Sequence, residues 1–189
     1  DFGWQTAAGN YTVVATNVAT TCMNTMTGSV NISLDPLPTA YPATGGGNCC
    51  AGGTGVNIGL GSSDAGITYQ LMNGATLLGS PMPGTGLAIN FGPQTGAGVY
   101  TIRATNIATG CVSNITGVSV MIDPLPNLFI TGGGGNYCAG AAGIAVGLAN
   151  SSTGVNYQLY RGITPIGSAV AGTGSPISFG LQTVAGTYT

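Results

Sequence analysis

Charge is what this sequence lacks most. Only 3% of its 189 residues are charged, against roughly 25% in ordinary soluble domains. Lys, Glu and His are absent, and the charged side chains are those of Asp1, Asp35, Asp64, Arg103, Asp123 and Arg161. Two arginines cannot form a basic face that neutralises phosphates, so we predict no nucleic-acid partner.

The missing residue types also argue against catalysis. Proton transfer and nucleophile activation near neutral pH rely mainly on side chains that this chain does not have, which leaves only a pair of aspartates. Asp35 and Asp123 belong to different copies of an internal repeat, and Asp64 corresponds to Ser152 in the next copy. We therefore predict no enzyme, no catalytic residue and no cofactor.

Long apolar runs and helical patterns are absent as well. Although 43% of the residues are hydrophobic, no uninterrupted apolar run reaches the roughly 18 residues of a membrane-crossing helix. No segment has a convincing 3.6-residue period, and 35 glycines disfavour helices. We expect no membrane span and almost no helix.

An internal repeat organises the chain. Gly98–Pro126 reads GVYTIRATNIATGCVSNITGVSVMIDPLP, and Gly9–Pro38 reads GNYTVVATNVATTCMNTMTGSVNISLDPLP. Cys50 and Cys138 lie 88 positions apart, as do other matched positions, so the repeat is about 88 residues long.

The Asp-Pro-Leu-Pro segments mark the domain boundaries, because two prolines in four residues stop a sheet. The predicted domains are the C-terminal hairpin of one repeat (1–38), a complete repeat (39–126) and the N-terminal part of a third (127–189). We expect the chain to be part of a longer repetitive protein.

Alternating runs separated by turn residues predict seven strands in the complete repeat, which is typical of an Ig-like β-sandwich. The predicted strands are Thr39–Thr44, Gly55–Leu60, Ile67–Met72, Thr76–Ser80, Leu87–Phe91, Val99–Thr105 and Ile115–Ile122.

Alternation in the sixth predicted strand directs Tyr100, Ile102 and Ala104 inward and leaves Thr101 and Arg103 outside. The preceding Gly-x-Tyr pattern predicts a tyrosine corner, in which the phenol bonds back to the backbone. The candidate residues are Tyr11, Tyr100 and Tyr188.

Three of the five cysteines are predicted to lie in loops of the complete repeat or at its edges, and the other two belong to the neighbouring repeats. One cysteine of each kind per repeat favours a bond between Cys50 and Cys111 within the complete repeat. The alternative is a set of bonds between repeats, joining Cys22 to Cys50 or Cys49 and Cys111 to Cys138. Loop disulfides indicate an oxidising, extracellular setting.

No metal site is predicted. Cys49 and Cys50 have neither a His nor a C-x-x-C companion, which a zinc site would need. One carboxylate at each repeat junction, Asp35 or Asp123, is too few for Ca²⁺.

Three patterns carry a family resemblance: A-G-x-Y-T-(V/I)-x-A-T-N-x-A-T-x-C at 97–111, N-(Y/C)-C-A-G at 48–52, and G-(V/I)-x-Y-Q-L at 66–71. They resemble the Ig-like tandem repeats of very large secreted surface proteins of Bacteroidota, of the gliding-adhesin type. The resemblance implies export to the cell surface, long tandem arrays, and roles in adhesion or fibre building.

The leading functional hypothesis is a structural segment of an extracellular adhesive filament or stalk, whose partners are neighbouring repeats or copies of itself. A surface of Thr, Asn, Ser and Gly suits lateral packing between chains, whereas a solitary soluble domain usually relies on surface charge. Two alternatives stay open: a module that binds a glycan or a surface protein, and a pilin-like subunit that polymerises by strand exchange.

Overall fold

The computed structural model describes all residues from Asp1 to Thr189, and the chain is all-β. It has several sheets and no helix, as the sequence predicts. The strands are β1 (Gly9–Tyr11), β2 (Val14–Thr16), β3 (Met23–Thr25), β4 (Val30–Ile32), β5 (Ala43–Gly45), β6 (Gly47–Cys50), β7 (Val56–Leu60), β8 (Ile67–Asn73), β9 (Thr76–Pro83), β10 (Ile89–Gln94), β11 (Gly98–Asn106), β12 (Val112–Asp123), β13 (Thr131–Gly133), β14 (Ile144–Leu148), β15 (Asn156–Arg161), β16 (Thr164–Ala171) and β17 (Ile177–Gln182).

The chain divides into two compact units, Asp1–Asp123 and Pro124–Thr189. In the first unit, residues 39–123 form a three-stranded sheet in the order β10-β7-β5 and a five-stranded sheet in the order β6-β12-β11-β8-β9. Every neighbouring pair is antiparallel except β6 and β12. Side chains of both sheets meet in one apolar core, which is consistent with a β-sandwich.

The core follows the two-residue period of the strands. Tyr100, Ile102 and Ala104 on β11 are at most 2% exposed, and Arg103 between them is exposed. The inward orientation predicted for these three residues is therefore confirmed. They pack with Ile58 and Tyr69, which come from β7 and β8.

The start of the complete repeat differs from the sequence prediction. In place of one strand over Thr39–Thr44, the chain forms β5 in the three-stranded sheet and β6 in the five-stranded sheet. Gly45, Gly46 and Gly47 make this change of sheet with φ of 86°, 76° and 114°. A Cβ on Gly45 would lie 1.9 Å from the Asn57 carbonyl oxygen, so the change of sheet requires glycine. The complete repeat thus has eight strands, and seven were predicted.

Residues 1–38 form two short hairpins, β1–β4 and β2–β3. The pairing of Gly9 with Ile32 reproduces that of Gly98 with Val120 in the complete repeat. The single extra residue of the first copy falls between the two hairpins, where β11 and β12 carry a β-bulge.

The second unit repeats the first half of this design. Strands β13, β14 and β17 form one sheet, β15 and β16 form another, and Tyr188 makes an isolated bridge to Arg161. Val146, Leu159 and Ile177 are its buried apolar side chains.

Candidate functional site at the repeat junction

All three tyrosines that follow a Gly-x pattern bond back to the chain before them. The hydroxyl of Tyr100 donates to the Gly96 carbonyl oxygen at 2.7 Å, and Tyr11 and Tyr188 donate to carbonyls four residues upstream at 2.8 and 2.7 Å. This is the hydrogen bond of a tyrosine corner. The bond of Tyr100 ties the turn before β11 to that strand. The bond of Tyr11 does the same for the turn before β1.

A second tyrosine cluster lies at the turn before β8. Tyr41 donates to an Asp64 carboxylate oxygen at 2.6 Å, and the Asp64 amide donates to the Tyr69 hydroxyl at 2.9 Å. The bond to Asp64, followed by burial and by the nearby charge, raises the pKa of Tyr41. Burial is the largest cause that raises the pKa of Tyr69; the amide bond opposes it, and the Asp64 charge adds to it.

The next repeat lacks both partners of the first contact in this cluster. Phe129 stands where Tyr41 does and Ser152 stands where Asp64 does, 88 positions on, whereas Ser152 still donates its amide to Tyr157 at 2.8 Å. The third repeat therefore has neither the phenol of Tyr41 nor the carboxylate of Asp64. The cluster therefore closes a turn of the fold and does not form a recurring acid–base site.

Two buried polar side chains were missed by the sequence analysis. Gln70 donates to the carbonyls of Leu71 and Leu78 at 2.9 and 2.8 Å, and Ser63 donates to the Leu87 carbonyl at 2.6 Å. Gln158 and Ser151 make the equivalent bonds in the second unit. Their recurrence at a spacing of 88 residues was the available signal.

Cys111 lies at the end of the repeat where the chain enters. The Asn106 side chain accepts from the amides of Ala108 and Thr109 at 2.9 and 3.2 Å, which shapes the turn between β11 and β12. The Cys111 sulfur is 4.0 Å from the carbonyl oxygen of Asp35. This turn therefore touches the Asp-Pro-Leu-Pro segment that leads into the repeat.

Cys49 and Cys50 lie at the opposite end, on β6 and not in a loop. Cys50 is the register partner of Asp123, where β12 ends, and Cys49 pairs with Ile122. Asn48 donates to both carboxylate oxygens of Asp123 at 3.2 and 3.1 Å, and Ala51 donates its amide to the Asp123 carbonyl at 2.8 Å. Strand β6 is thus hydrogen-bonded to the end of β12, from which the chain leaves the repeat.

The structure does not bring Cys50 and Cys111 together. They lie at opposite ends of the 12-residue strand β12, a separation of roughly 40 Å at the usual rise per residue. A disulfide requires Cα atoms within about 7 Å. All five cysteines are thiols here, and Cys22 and Cys138 are exposed.

No group of three or more His, Cys, Asp or Glu side chains is placed to hold a metal ion. No helix is long and apolar enough to cross a membrane. The candidate site is the repeat junction, where Cys111 contacts Asp35 and Cys50 lies beside Asp123.

Comparison with protein-family models gives no match, and comparison with the curated proteins gives none either.

Proposed function

We propose that the chain is a structural segment of an extracellular adhesive filament or stalk built of tandem Ig-like repeats. The observation that carries the proposal is the placement of entry and exit in the complete repeat. The incoming Asp35 carbonyl lies against Cys111, just before β12 begins, and the chain leaves through Asp123, where β12 ends. A unit entered at one end and left at the other extends an array lengthwise.

The strand order supports the Ig-like assignment. In the larger sheet, β12, β11, β8 and β9 follow the order of strands G, F, C and C′ in a variable-type Ig domain. In the smaller sheet, β5, β7 and β10 correspond to strands A, B and E. The tyrosine corner stands at the start of the strand that corresponds to F.

The surface supports association between chains. Large apolar side chains such as Val99, Ile107 and Met121 are more than half exposed on the complete repeat, and charge is almost absent around them. Two such surfaces meet without desolvating or opposing charges. The resemblance to secreted surface repeats supports the extracellular setting.

Electron microscopy of the cells that produce the protein tests this function. Gold-labelled antibodies raised against the chain should decorate extracellular filaments at regular intervals along their length. Label confined to the cell interior, or isolated flexible particles that do not associate, would overturn the proposal.

A second candidate is a pilin-like subunit that polymerises by strand exchange. The hairpins of residues 9–32 resemble in sequence the hairpin of β11 and β12, of which β11 pairs with β8 in the complete repeat. In the second unit β15 is the equivalent of β8, and it pairs only with β16 apart from the Arg161 bridge. The hairpins of one copy would take, beside β15 of another copy, the place that β11 takes beside β8 in the complete repeat.

A pair of substitutions separates the two candidates. Ile32 corresponds to Val120, which is 2% exposed in the complete repeat, whereas Asn31 corresponds to exposed Ser119. Under strand exchange, Ile32→Asp should abolish concentration-dependent oligomers in analytical ultracentrifugation and Asn31→Asp should leave them intact. If neither variant changes the sedimentation, the second candidate fails.

A further inference from the structure

Each of the two repeat junctions has one cysteine near the backbone carbonyl of its aspartate, and the cysteine is a different one at each junction. At Asp35, the thiol of Cys111 approaches from the repeat that follows, with its sulfur 4.0 Å from the carbonyl oxygen. At Asp123, Cys50 approaches from the repeat that precedes, because Ala51, its neighbour in sequence, donates to the equivalent carbonyl at 2.8 Å.

The two junctions are built alike up to this carbonyl. Asp35 and Asp123 stand in the same Asp-Pro-Leu-Pro segment, 88 positions apart. The strands that lead to them pair in the same register, since Tyr11 faces Val30 as Tyr100 faces Val118. A complete repeat before Asp35 would therefore place its own counterpart of Cys50 beside the Asp35 carbonyl.

The shared carbonyl limits the distance between the two cysteines. The Cα atom of Cys50 is bonded through its own carbonyl carbon to the Ala51 nitrogen. The path from the Cys111 sulfur to the shared carbonyl oxygen, to the Ala51 nitrogen and on to this Cα atom of the preceding repeat therefore limits their separation to about 9 Å. Rotation of each side chain about χ1 moves a thiol by up to about 3 Å. The contact geometry thus places this pair near the range of a disulfide, unlike the pair within one repeat.

We propose that, wherever two of these repeats follow one another, Cys50 of the first forms a disulfide with Cys111 of the second. The pairing differs from Cys111 with Cys138, which would join the entry end of one repeat to the exit end of the next. It makes the array a chain of covalently stapled units. The inference rests on the proposed tandem arrangement.

Cys50, and not Cys49, is the partner. Adjacent residues of a strand point to opposite faces, and Cys49 packs against the core while Cys50 is exposed. The next repeat keeps a cysteine at the position of Cys50, as Cys138, and has Tyr137 at the position of Cys49.

The reaction is a thiol–disulfide exchange. One cysteine thiolate attacks a disulfide oxidant such as oxidised glutathione, which releases one reduced thiol and leaves a mixed disulfide. The second cysteine thiolate then displaces the other reduced thiol and forms the S–S bond. The two cysteines lose two protons and two electrons in total, and the oxidant takes them up as two thiols.

The test uses the full chain with a second copy of residues 39–126 inserted after Pro126, which creates one complete junction. In one variant the only cysteines are Cys50 of the first copy and Cys111 of the second, with alanine at the others. In the matched control the only cysteines are Cys50 and Cys111 of the same copy. Free thiols are counted by alkylation and mass spectrometry after incubation of the folded monomer with oxidised glutathione.

The junction variant should lose both thiols to one internal disulfide at least about tenfold faster than the control. A third variant, with Cys49 in place of Cys50 as the first-copy cysteine, should behave as the control does. If the junction variant keeps both thiols while its β-sheet circular dichroism is retained, or if the control closes equally fast, the inference is wrong. Labelled filaments on cells would then still support the proposed function, without a covalent staple.

Discussion

At the scale of single residues, Gly117 shows how closely the closing hairpin is packed. It lies at the bulge between β11 and β12, where Tyr100 pairs with Val118 and Ile102 pairs with Ile115. A Cβ on Gly117 would stand 1.2 Å from the Tyr100 carbonyl oxygen. Only the absence of a side chain lets the two strands approach beside the tyrosine corner.

Gly117→Ala should therefore destabilise the complete repeat by on the order of 3 kcal/mol, because the backbone of β11 must move to admit a methyl group. The measurement is the free energy of unfolding in urea. Thr116→Ala leaves the same alanine side chain at the adjacent exposed position, where nothing has to move, and should change stability by less than about 1 kcal/mol. Equal effects of the two substitutions would contradict the close approach.

The phenol of Tyr69 gives the complete repeat an alkaline limit. Its folded-state pKa is raised, with burial as the largest cause, above the ordinary value of 10.0. The neutral phenol is therefore favoured by folding: its contribution is fully present below about pH 10 and is lost as the pH rises through the folded-state pKa.

The urea midpoint should stay nearly level between about pH 7 and pH 9 and fall as the pH rises beyond about 10. Tyr69→Phe should cost about 1 kcal/mol at neutral pH, because the Asp64 amide loses its acceptor. The variant should then lose less stability than the parent on going to alkaline pH. Parallel pH profiles of parent and variant would show that Tyr69 does not set this limit.

At the scale of elements, β6 shows what the sequence could not predict. The apolar runs bounded by turn residues predicted β7, β8 and β11 closely, because each of these strands contributes several side chains to the core. Strand β6 reads Gly-Asn-Cys-Cys and has no such pattern, and it pairs only with β12. The equivalent segment around Cys138, in a unit that has no counterpart of β12, is not a strand.

The tyrosines and the cysteines of the site differ in how far the sequence predicts their contacts. The tyrosines could be found from a local Gly-x-Tyr pattern, since their hydrogen bonds span four residues. The neighbours of the cysteines could not be found in this way, because they depend on the end of β12 at which each cysteine lies. Because β6 runs parallel to β12, Cys50 lies beside Asp123 at the end of β12. In an antiparallel pairing, the direction of β6 along β12 would be reversed.

Strand β9 pairs with β8 through the backbone and also through the side chain of Gln70. Its amide nitrogen donates to the Leu78 carbonyl at 2.8 Å, beside the bulge where the register of β8 and β9 shifts. Pro81 and Pro83 within β9 cannot donate backbone hydrogen bonds, so this edge strand has few alternatives.

Gln70→Leu should cost about 1–3 kcal/mol in the free energy of unfolding, because it leaves carbonyl oxygens without a donor in a buried place. Amide exchange in β9 should rise more than in β11. Gln94→Leu is the matched control: its amide makes only 3.4 Å contacts, to Phe91 and Gly92, and its loss should cost less than about 1 kcal/mol. A larger effect at Gln94 would refute the assignment.

At the scale of the whole molecule, repetition and the scarcity of charge bear the functional argument. The complete repeat places its entry and its exit at opposite ends of β12, and an Asp-Pro-Leu-Pro segment lies at each. The proposed array of such units would grow in length with every repeat. Its surface of small polar and apolar groups would let neighbouring chains approach without charge repulsion.

The most direct measurement of this claim is the contour length, by electron microscopy, of chains with one, two and three extra copies of residues 39–126 inserted after Pro126. The length should increase in equal steps of about 40 Å per copy, the rise of a 12-residue strand. A longest dimension that stays constant as copies are added, or compact particles that grow equally in all directions, would contradict the account.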